Sequence, residues 1–142
     1  MNIEEKIKEE LSKEIIDWKR HSERRFYFSV MPENITKVVK LLFNELNLRF
    51  ITATGTDTPE GIEILYHFSD DKSGKVFSAR VLIINKKNPE IDSITPLICG
   101  AEWIEREIWE LLGVKFRRHP NLKHLLLIED WPEGEYPLRK KD

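Results

Sequence analysis

The chain has 142 residues, the size of one domain built around a single hydrophobic core. Its 23 Lys and Arg nearly balance 25 Asp and Glu, so the sequence lacks the overall basic charge that binds nucleic acid. The single Cys99 excludes an internal disulfide and any zinc or iron–sulfur site needing several thiolates of this chain, and no apolar run is long enough for direct membrane insertion.

The N-terminal segment predicts an amphipathic helix over residues 2–20. Acidic residues are spread through it, which argues against a signal peptide. We assign residues 1–22 to this helix and residues 23–142 to the main domain. The helix either lies on the domain's own core or reaches a partner protein. Its apolar stripe recurs at every fourth position: Ile3, Ile7, Leu11 and Ile15.

The middle of the chain predicts a helix and several strands. A helix opens at Pro32, and Gly55 to Gly61 reads as a loop. Apolar or alternating runs predict strands at Arg25–Val30, Leu48–Thr54, Ile62–Phe68 and Val76–Ile84. Together with a helix in the last third, this order predicts a single-domain α/β fold, with helices packed on a mixed or largely antiparallel sheet.

The last third predicts one long helix followed by an irregular tail. Ser93 can cap a helix over Ile94–Leu112, which Gly113 would end. Beyond Gly113 the sequence loses its periodicity, and several prolines interrupt it. The tail is too apolar to lie free in water, so we expect it to pack against this chain or against a partner.

Two faces of this helix carry unusual residues. Glu105 falls inside the apolar face, where it needs a positive or hydrogen-bonding partner, or else stays protonated. It serves either as a structural ion pair or as a proton-handling carboxylate. On the opposite arc, the large aromatic Trp103 stands among charges, and aromatic and Arg residues together are typical interface anchors. The alternative is that the tail covers Trp103. The opposite arc comprises Trp103, Arg106, Glu107 and Glu110.

The same helix and tail resemble a known family. Glu105-Arg106-Glu107, then Glu110 and Leu111-Leu112, then His119-Pro120 and Pro137-Leu138-Arg139-Lys140 follow in the order and spacing of the respiratory complex I 30 kDa subunit signature. Glu110 stands where the family commonly has Asp, and Asn121 likewise replaces an Asp. These departures favour a membrane-bound hydrogenase or related ferredoxin-linked complex over NADH:quinone oxidoreductase.

The resemblance implies a peripheral-arm subunit without a catalytic centre or cofactor of its own. Such a protein docks on a hydrogenase-like large subunit, beside an iron–sulfur small subunit, on the cytoplasmic side of the cell membrane. Iron–sulfur clusters, and nickel–iron or quinone sites, would belong to those partners. The residues expected to contact the partner are Trp103, Glu105, Arg106, Glu107, Glu110, His119, Pro120, Leu138 and Arg139.

A function of another class is an independent small hydrolase that uses acidic and histidine residues of the last third. His119 and His124, together with Glu129 or Asp130, could also hold a metal ion. The two histidines are five residues apart, which does not suit two ligands on one helical face. Genes for a large and an iron–sulfur subunit beside this one would favour the complex, and an isolated gene would favour the hydrolase.

Overall fold

The computed structural model describes residues 1–123 and 134–140. Three α-helices lie in this part of the chain: α1 (Ile3–Glu10), α2 (Ile35–Val39), which runs on into a π-helical turn (Lys40–Glu45), and α3 (Glu102–Leu112). The strands are β1 (Asp17–Arg20), β2 (Arg25–Ser29), β3 (Arg49–Thr58), β4 (Gly61–Asp70), β5 (Lys75–Ile83), β6 (Glu90–Asp92) and β7 (Lys115–Arg117). Among these residues no helix is long and apolar enough to cross a bilayer.

Five of the strands form one mixed sheet in the order β1-β2-β5-β4-β3. Three of its four strand pairs are antiparallel, and β2 runs parallel to β5. The predicted fold class, helices on a mixed and largely antiparallel sheet, is confirmed. The two short strands β6 and β7, which the sequence did not predict, pair in parallel in a separate sheet.

The core lies on one face of the five-stranded sheet. Alternate residues of β2, β4 and β5 point into it, and Trp18 of β1 stacks on Phe28 with ring centroids 5.5 Å apart. Helix α3 packs over β3, where Leu112 and Ile108 lie against Gly55. A Cβ at Gly55 would lie 2.7 Å from the Leu112 side chain, so this close approach requires glycine in the strand.

The predicted helix over residues 2–20 is wrong in extent. Helix α1 ends at Glu10, and the chain then turns so that Asp17–Arg20 forms the edge strand β1. The Ile16 N–H donates to the Ser29 carbonyl at 2.8 Å, just before the β1–β2 pairing begins. Strand pairing therefore overrides the helical period. The two apolar residues Ile7 and Leu11 are buried in this chain's own core.

Two other boundaries also differ from the prediction. The predicted loop from Gly55 to Gly61 is mostly strand, because β3 continues to Thr58. The predicted helix over Ile94–Leu112 is broken, since Ile98 is extended (φ −135°, ψ 99°) and only Glu102–Leu112 is α-helical. Gly113 ends the helix in the left-handed conformation (φ 80°) that the sequence indicated.

Candidate partner-binding site

A buried carboxylate holds helix α3 onto the segment before it. The Glu105 side chain has no exposed surface, and it accepts hydrogen bonds from the Ser93 hydroxyl (2.5 Å), the Thr95 hydroxyl (2.6 Å) and the Ile94 N–H (2.9 Å). These three donors satisfy the charge that burial would otherwise penalise. Glu105 therefore binds neutral donors in place of the expected ion pair with a Lys or Arg.

His119 fastens the chain after α3 back onto the helix. Its Nε2 lies 3.0 Å from the Glu102 carbonyl, to which it donates, and its Nδ1 accepts from the Asn121 N–H at 3.0 Å. This pattern defines the neutral tautomer with the proton on Nε2. The imidazole is completely buried, and Nε2 stays 4.0 Å from the Glu105 carboxylate. Both ring nitrogens are thus used in fixing the turn at residues 118–121.

Tyr66, on strand β4, is close enough to Glu105 to be affected by its charge. Its hydroxyl is buried and has no hydrogen-bond partner among residues 1–123 and 134–140. Burial, and next the negative charge of Glu105, raise the pKa of Tyr66 well above its ordinary value. The phenol is therefore held in its neutral form next to the carboxylate.

Arg106 and Glu110 do not lie on an outer face of α3, which corrects the helical-wheel prediction. Arg106 is 6% exposed and Glu110 is 1% exposed. The Arg106 Nε donates to the Lys123 carbonyl at 3.0 Å, so the chain that follows β7 covers this side of the helix. A wheel shows which residues share a side of a helix but cannot show which segment returns to cover that side.

Trp103 remains on the surface of α3. Its side chain is 65% exposed in the described structure, so the described part of the tail does not cover it. Glu107, one turn further along the helix, is half-buried, and Pro120 is exposed beside the His119 turn. We call Trp103 and Glu107 the outer ridge of α3.

The segment 134–140 is tied to the end of the β3–β4 hairpin. The Arg139 guanidinium donates to the Leu112 carbonyl at 2.9 Å and also to the Lys86 carbonyl. The Lys140 N–H donates to Asp57 at 2.7 Å, and the Lys86 ammonium lies 2.5 Å from the same carboxylate. Arg139 is therefore occupied within this chain, whereas Leu138 is 55% exposed.

Asp57 is the centre of this attachment. Burial by itself would raise its pKa, but hydrogen bonds from Lys86 and the Lys140 N–H, with the charges of Lys86 and Arg139, hold the pKa of Asp57 below its ordinary value. The Tyr136 ring packs on Gly113, where a Cβ would lie only 2.6 Å from a ring carbon. The segment is thus fixed at the end of α3 as well as at the hairpin.

The structure separates the predicted partner contacts into two groups, although their role in binding stays a prediction. Trp103, Pro120 and Leu138 are exposed and Glu107 is half-buried. Five are held by contacts within the chain: Glu105, Arg106, Glu110, His119 and Arg139.

Asp57 and the role of Ser93 were not predicted from the sequence. The sequence predicts a loop at Asp57, although an acid at an inward position of an extended β3, with basic residues near position 140, indicates an ion pair. His124, Glu129 and Asp130 lie outside the described residues. In the described part of the chain, no three His, Cys, Asp or Glu side chains cluster to hold a metal ion.

Comparison with known proteins identifies the family. The family model for the respiratory-chain NADH dehydrogenase 30 kDa subunit matches residues 28–142. The chain belongs to this family. The predicted resemblance is thereby confirmed, and the matched region holds most of the sheet, α3 and the segment 134–140.

Relatives include members of several respiratory-type complexes. The C subunit of the NADH-quinone oxidoreductase of Citrifermentans bemidjiense is 30% identical over 95% of this chain and 84% of its own length. The C subunit of the F420H2 dehydrogenase of Methanosarcina mazei is 36% identical over 63% of this chain and 56% of that protein. The chain spans only 17% of the C/D subunit of the NADH-quinone oxidoreductase of Phocaeicola vulgatus, with which it is 35% identical over 61% of its residues.

Solved structures show the same fold. A chain of the membrane-bound sulfane sulfur reductase, an archaeal respiratory membrane complex, superposes with a TM-score of 0.82 and 26% identity over 96% of this chain and 82% of that one. The trypsin-resistant fragment of Nqo5 gives 0.67 at 22% identity, over 86% of this chain and all of the fragment. The second likeness concerns the fold alone.

Proposed function

We propose that this chain is a cofactor-free subunit of a complex I-like, membrane-bound electron-transfer complex. It docks on the hydrogenase-like large subunit of that complex, next to the iron–sulfur small subunit, and holds the large subunit in its working position. The redox centres, iron–sulfur clusters and a nickel–iron or quinone site, would belong to these partners. The complex would lie at the cytoplasmic side of the membrane, with this chain as a peripheral member.

The exposed Trp103 on a rigid helix carries the proposal. Leaving most of an indole in water forgoes about 2 kcal/mol of burial free energy, which association with a partner would recover. The helix is held on the inside by Glu105 and after its end by His119, so the ridge is preorganised for binding. Tryptophans in such positions are frequent binding hot spots.

Family membership independently supports a role as a subunit of such a complex. The relatives reported above belong to NADH-quinone, F420H2 and sulfane sulfur complexes. These names differ in donor or acceptor while a protein of this family is shared, which favours a role in assembly over a role in choosing the substrate. We therefore expect the partner chains to determine which molecule accepts the electrons.

Nothing observed in residues 1–123 and 134–140 favours the hydrolase alternative. Glu105 and His119 lie inside the described part of the chain, and their polar atoms are already engaged with Ser93, Thr95, Glu102 and Asn121. A general base needs an approach path for its substrate. Neither side chain provides one here.

Purification of the tagged chain from the organism that encodes it tests the proposal. We expect a large hydrogenase-like protein and an iron–sulfur protein to co-purify in equal amounts with it after mild detergent extraction, identified by mass spectrometry. Recovery of the tagged chain alone, as a monomer with no stoichiometric partner, would contradict the proposal.

A further inference from the structure

A basic groove lies at the end of the sheet, and neither residue of the outer ridge lines it. Its walls come from the loop between β5 and β6, the start of β7 and the segment 134–140. Glu135 is the only carboxylate among the described residues that line it. The cationic residues lining the groove are Lys86, Lys87, Lys115, Arg139 and Lys140.

The charges of this groove are only partly neutralised within the chain. Asp57 accepts the Lys86 ion pair at 2.5 Å and lies 4.0 Å from Arg139, so one carboxylate serves two cations. Lys115 is 3.9 Å from Glu90, a long contact between partly exposed groups that contributes little. A chain with a net charge of −2 therefore concentrates positive charge in one concave place.

Two of the cations are available for a ligand. Lys87 and Lys140 are exposed, and their side chains make no ion pair with any residue in the described ranges. Both belong to segments fixed by other contacts, since the Lys140 N–H binds Asp57 and Arg139 binds the Lys86 carbonyl. The backbone that carries the two lysines is thus set by the fold, so binding needs to order only their side chains.

The uncharged part of the lining indicates a polypeptide ligand. Pro59, Pro89 and Pro137 form much of it together with Trp109 and Tyr136. Proline and aromatic surfaces in a cleft suit an extended segment whose apolar side chains lie on the walls. A flat anionic membrane surface would reach the proline and aromatic walls of a cleft less well than a chain that enters it.

We propose that this groove binds an acidic, extended segment of a neighbouring protein of the complex. The inference rests on the proposed function, and it adds a second contact to the one made by the outer ridge. Carboxylates of the segment pair with Lys87 and Lys140 at the rim, while its apolar side chains pack on Tyr136 and the prolines. Asp57 binds both Lys86 and the Lys140 N–H, so it holds the two walls of the groove at a fixed distance from each other.

Zero-length cross-linking of the purified complex tests this contact directly. A water-soluble carbodiimide joins a lysine amine to a carboxylate within ion-pair distance, and Lys75 with Glu4, 2.5 Å apart, provides the internal positive control. We expect Lys87 or Lys140 to be linked to an Asp or Glu of another protein of the complex. Links of these lysines only to this chain, or to a second copy of it, overturn the inference, as does their absence when the control link forms.

Charge reversal gives the matched functional test. The double variant Lys87→Glu/Lys140→Glu should lower partner recovery about tenfold and weaken its dependence on salt. The control double variant Lys40→Glu/Lys72→Glu changes the same charge at exposed positions outside the groove and should leave recovery unchanged. Equal effects of both variants overturn the groove contact. If all variants co-purify normally with the partner, the proposed function stands but the groove contact is wrong. If the wild-type chain fails to co-purify, both proposals are wrong.

Discussion

The inner side and the outer ridge of α3 reverse the usual burial of charged and apolar residues. On the inner side, Glu105 is fully buried and satisfied by three donors of this chain. On the outer ridge, Trp103 is 65% exposed although it is the larger and more apolar residue. The comparison shows that a charged signature residue can be part of the fold, while an apolar neighbour stays exposed. Substitutions on the two sides should therefore separate stability from assembly.

The largest loss of stability is expected from Glu105→Ala. The substitution removes the acceptor of the Ser93 and Thr95 hydroxyls and of the Ile94 N–H, all inside the protein. We expect the free energy of unfolding to fall by about 2 to 4 kcal/mol. Urea denaturation followed by circular dichroism measures it. Glu105→Gln retains one acceptor oxygen and should cost less, and an equal or greater loss would argue against hydrogen bonding as the cause.

Removal of Asp57 should detach the segment 134–140 with a smaller loss. Asp57→Ala leaves Lys86 without its ion pair and the Lys140 N–H without its acceptor. We expect a loss of about 2 kcal/mol. Limited proteolysis should then cut within residues 134–140, whereas α3 stays protected. Cutting at α3 before the terminal segment would show that Asp57 supports more of the fold than this attachment.

The same carboxylate predicts a dependence of stability on pH. The folded-state pKa of Asp57 lies below the ordinary value of 3.8, so the folded state binds the proton less readily than the unfolded state. Its stabilising contribution is complete above about pH 5 and is lost as the pH falls through the folded-state pKa. Unfolding curves between about pH 2 and about pH 6 for the wild type and Asp57→Asn measure it. Parallel curves for the two proteins would contradict the assignment.

A glycine pair tests the contact between Tyr136 and the end of α3. Gly113→Ala places a methyl group at a left-handed position (φ 80°) and against the Tyr136 ring, so we expect a loss of about 1 to 2 kcal/mol. Gly100→Ala is the matched control, because nothing lies within 4 Å of its added Cβ. Thermal unfolding of both variants decides the point. A Gly113→Ala protein as stable as the control would show that the ring does not pack there.

The sheet could be predicted from the sequence because local patterns of apolar residues mark its central strands. The runs around Ile62–Phe68 and Val76–Ile84 alternate or stay apolar, and the structure places β4 and β5 over them. Asp17–Arg20 could not be recognised in this way. Its period matches the preceding helix, and pairing with the next strand, at Phe26–Ser29, makes it a strand.

The family signature could also be recognised from the sequence, but the burial of its residues could not be predicted. Fixed spacing identifies Glu105-Arg106-Glu107, whereas the cover over Arg106 comes from Lys123, which lies 17 positions later in the chain. Similarly, the contacts of Arg139 within the chain could not be predicted. Its partners, the Leu112 and Lys86 carbonyls, are backbone groups, which no residue type in the sequence marks. Contacts between distant backbone and side-chain groups thus account for most of the corrected site residues.

Replacement of Trp103 by alanine tests the central claim most directly. The isolated Trp103→Ala chain should unfold within about 0.5 kcal/mol of the wild type, because an exposed side chain contributes little to folding. In the complex, the same variant should reduce recovery of the large partner about thirtyfold or more, as expected for a loss of about 2 kcal/mol at a hot spot. Ile51→Ala, at another exposed apolar position, is the control. Recovery of the large partner at the wild-type level with Trp103→Ala would contradict the account.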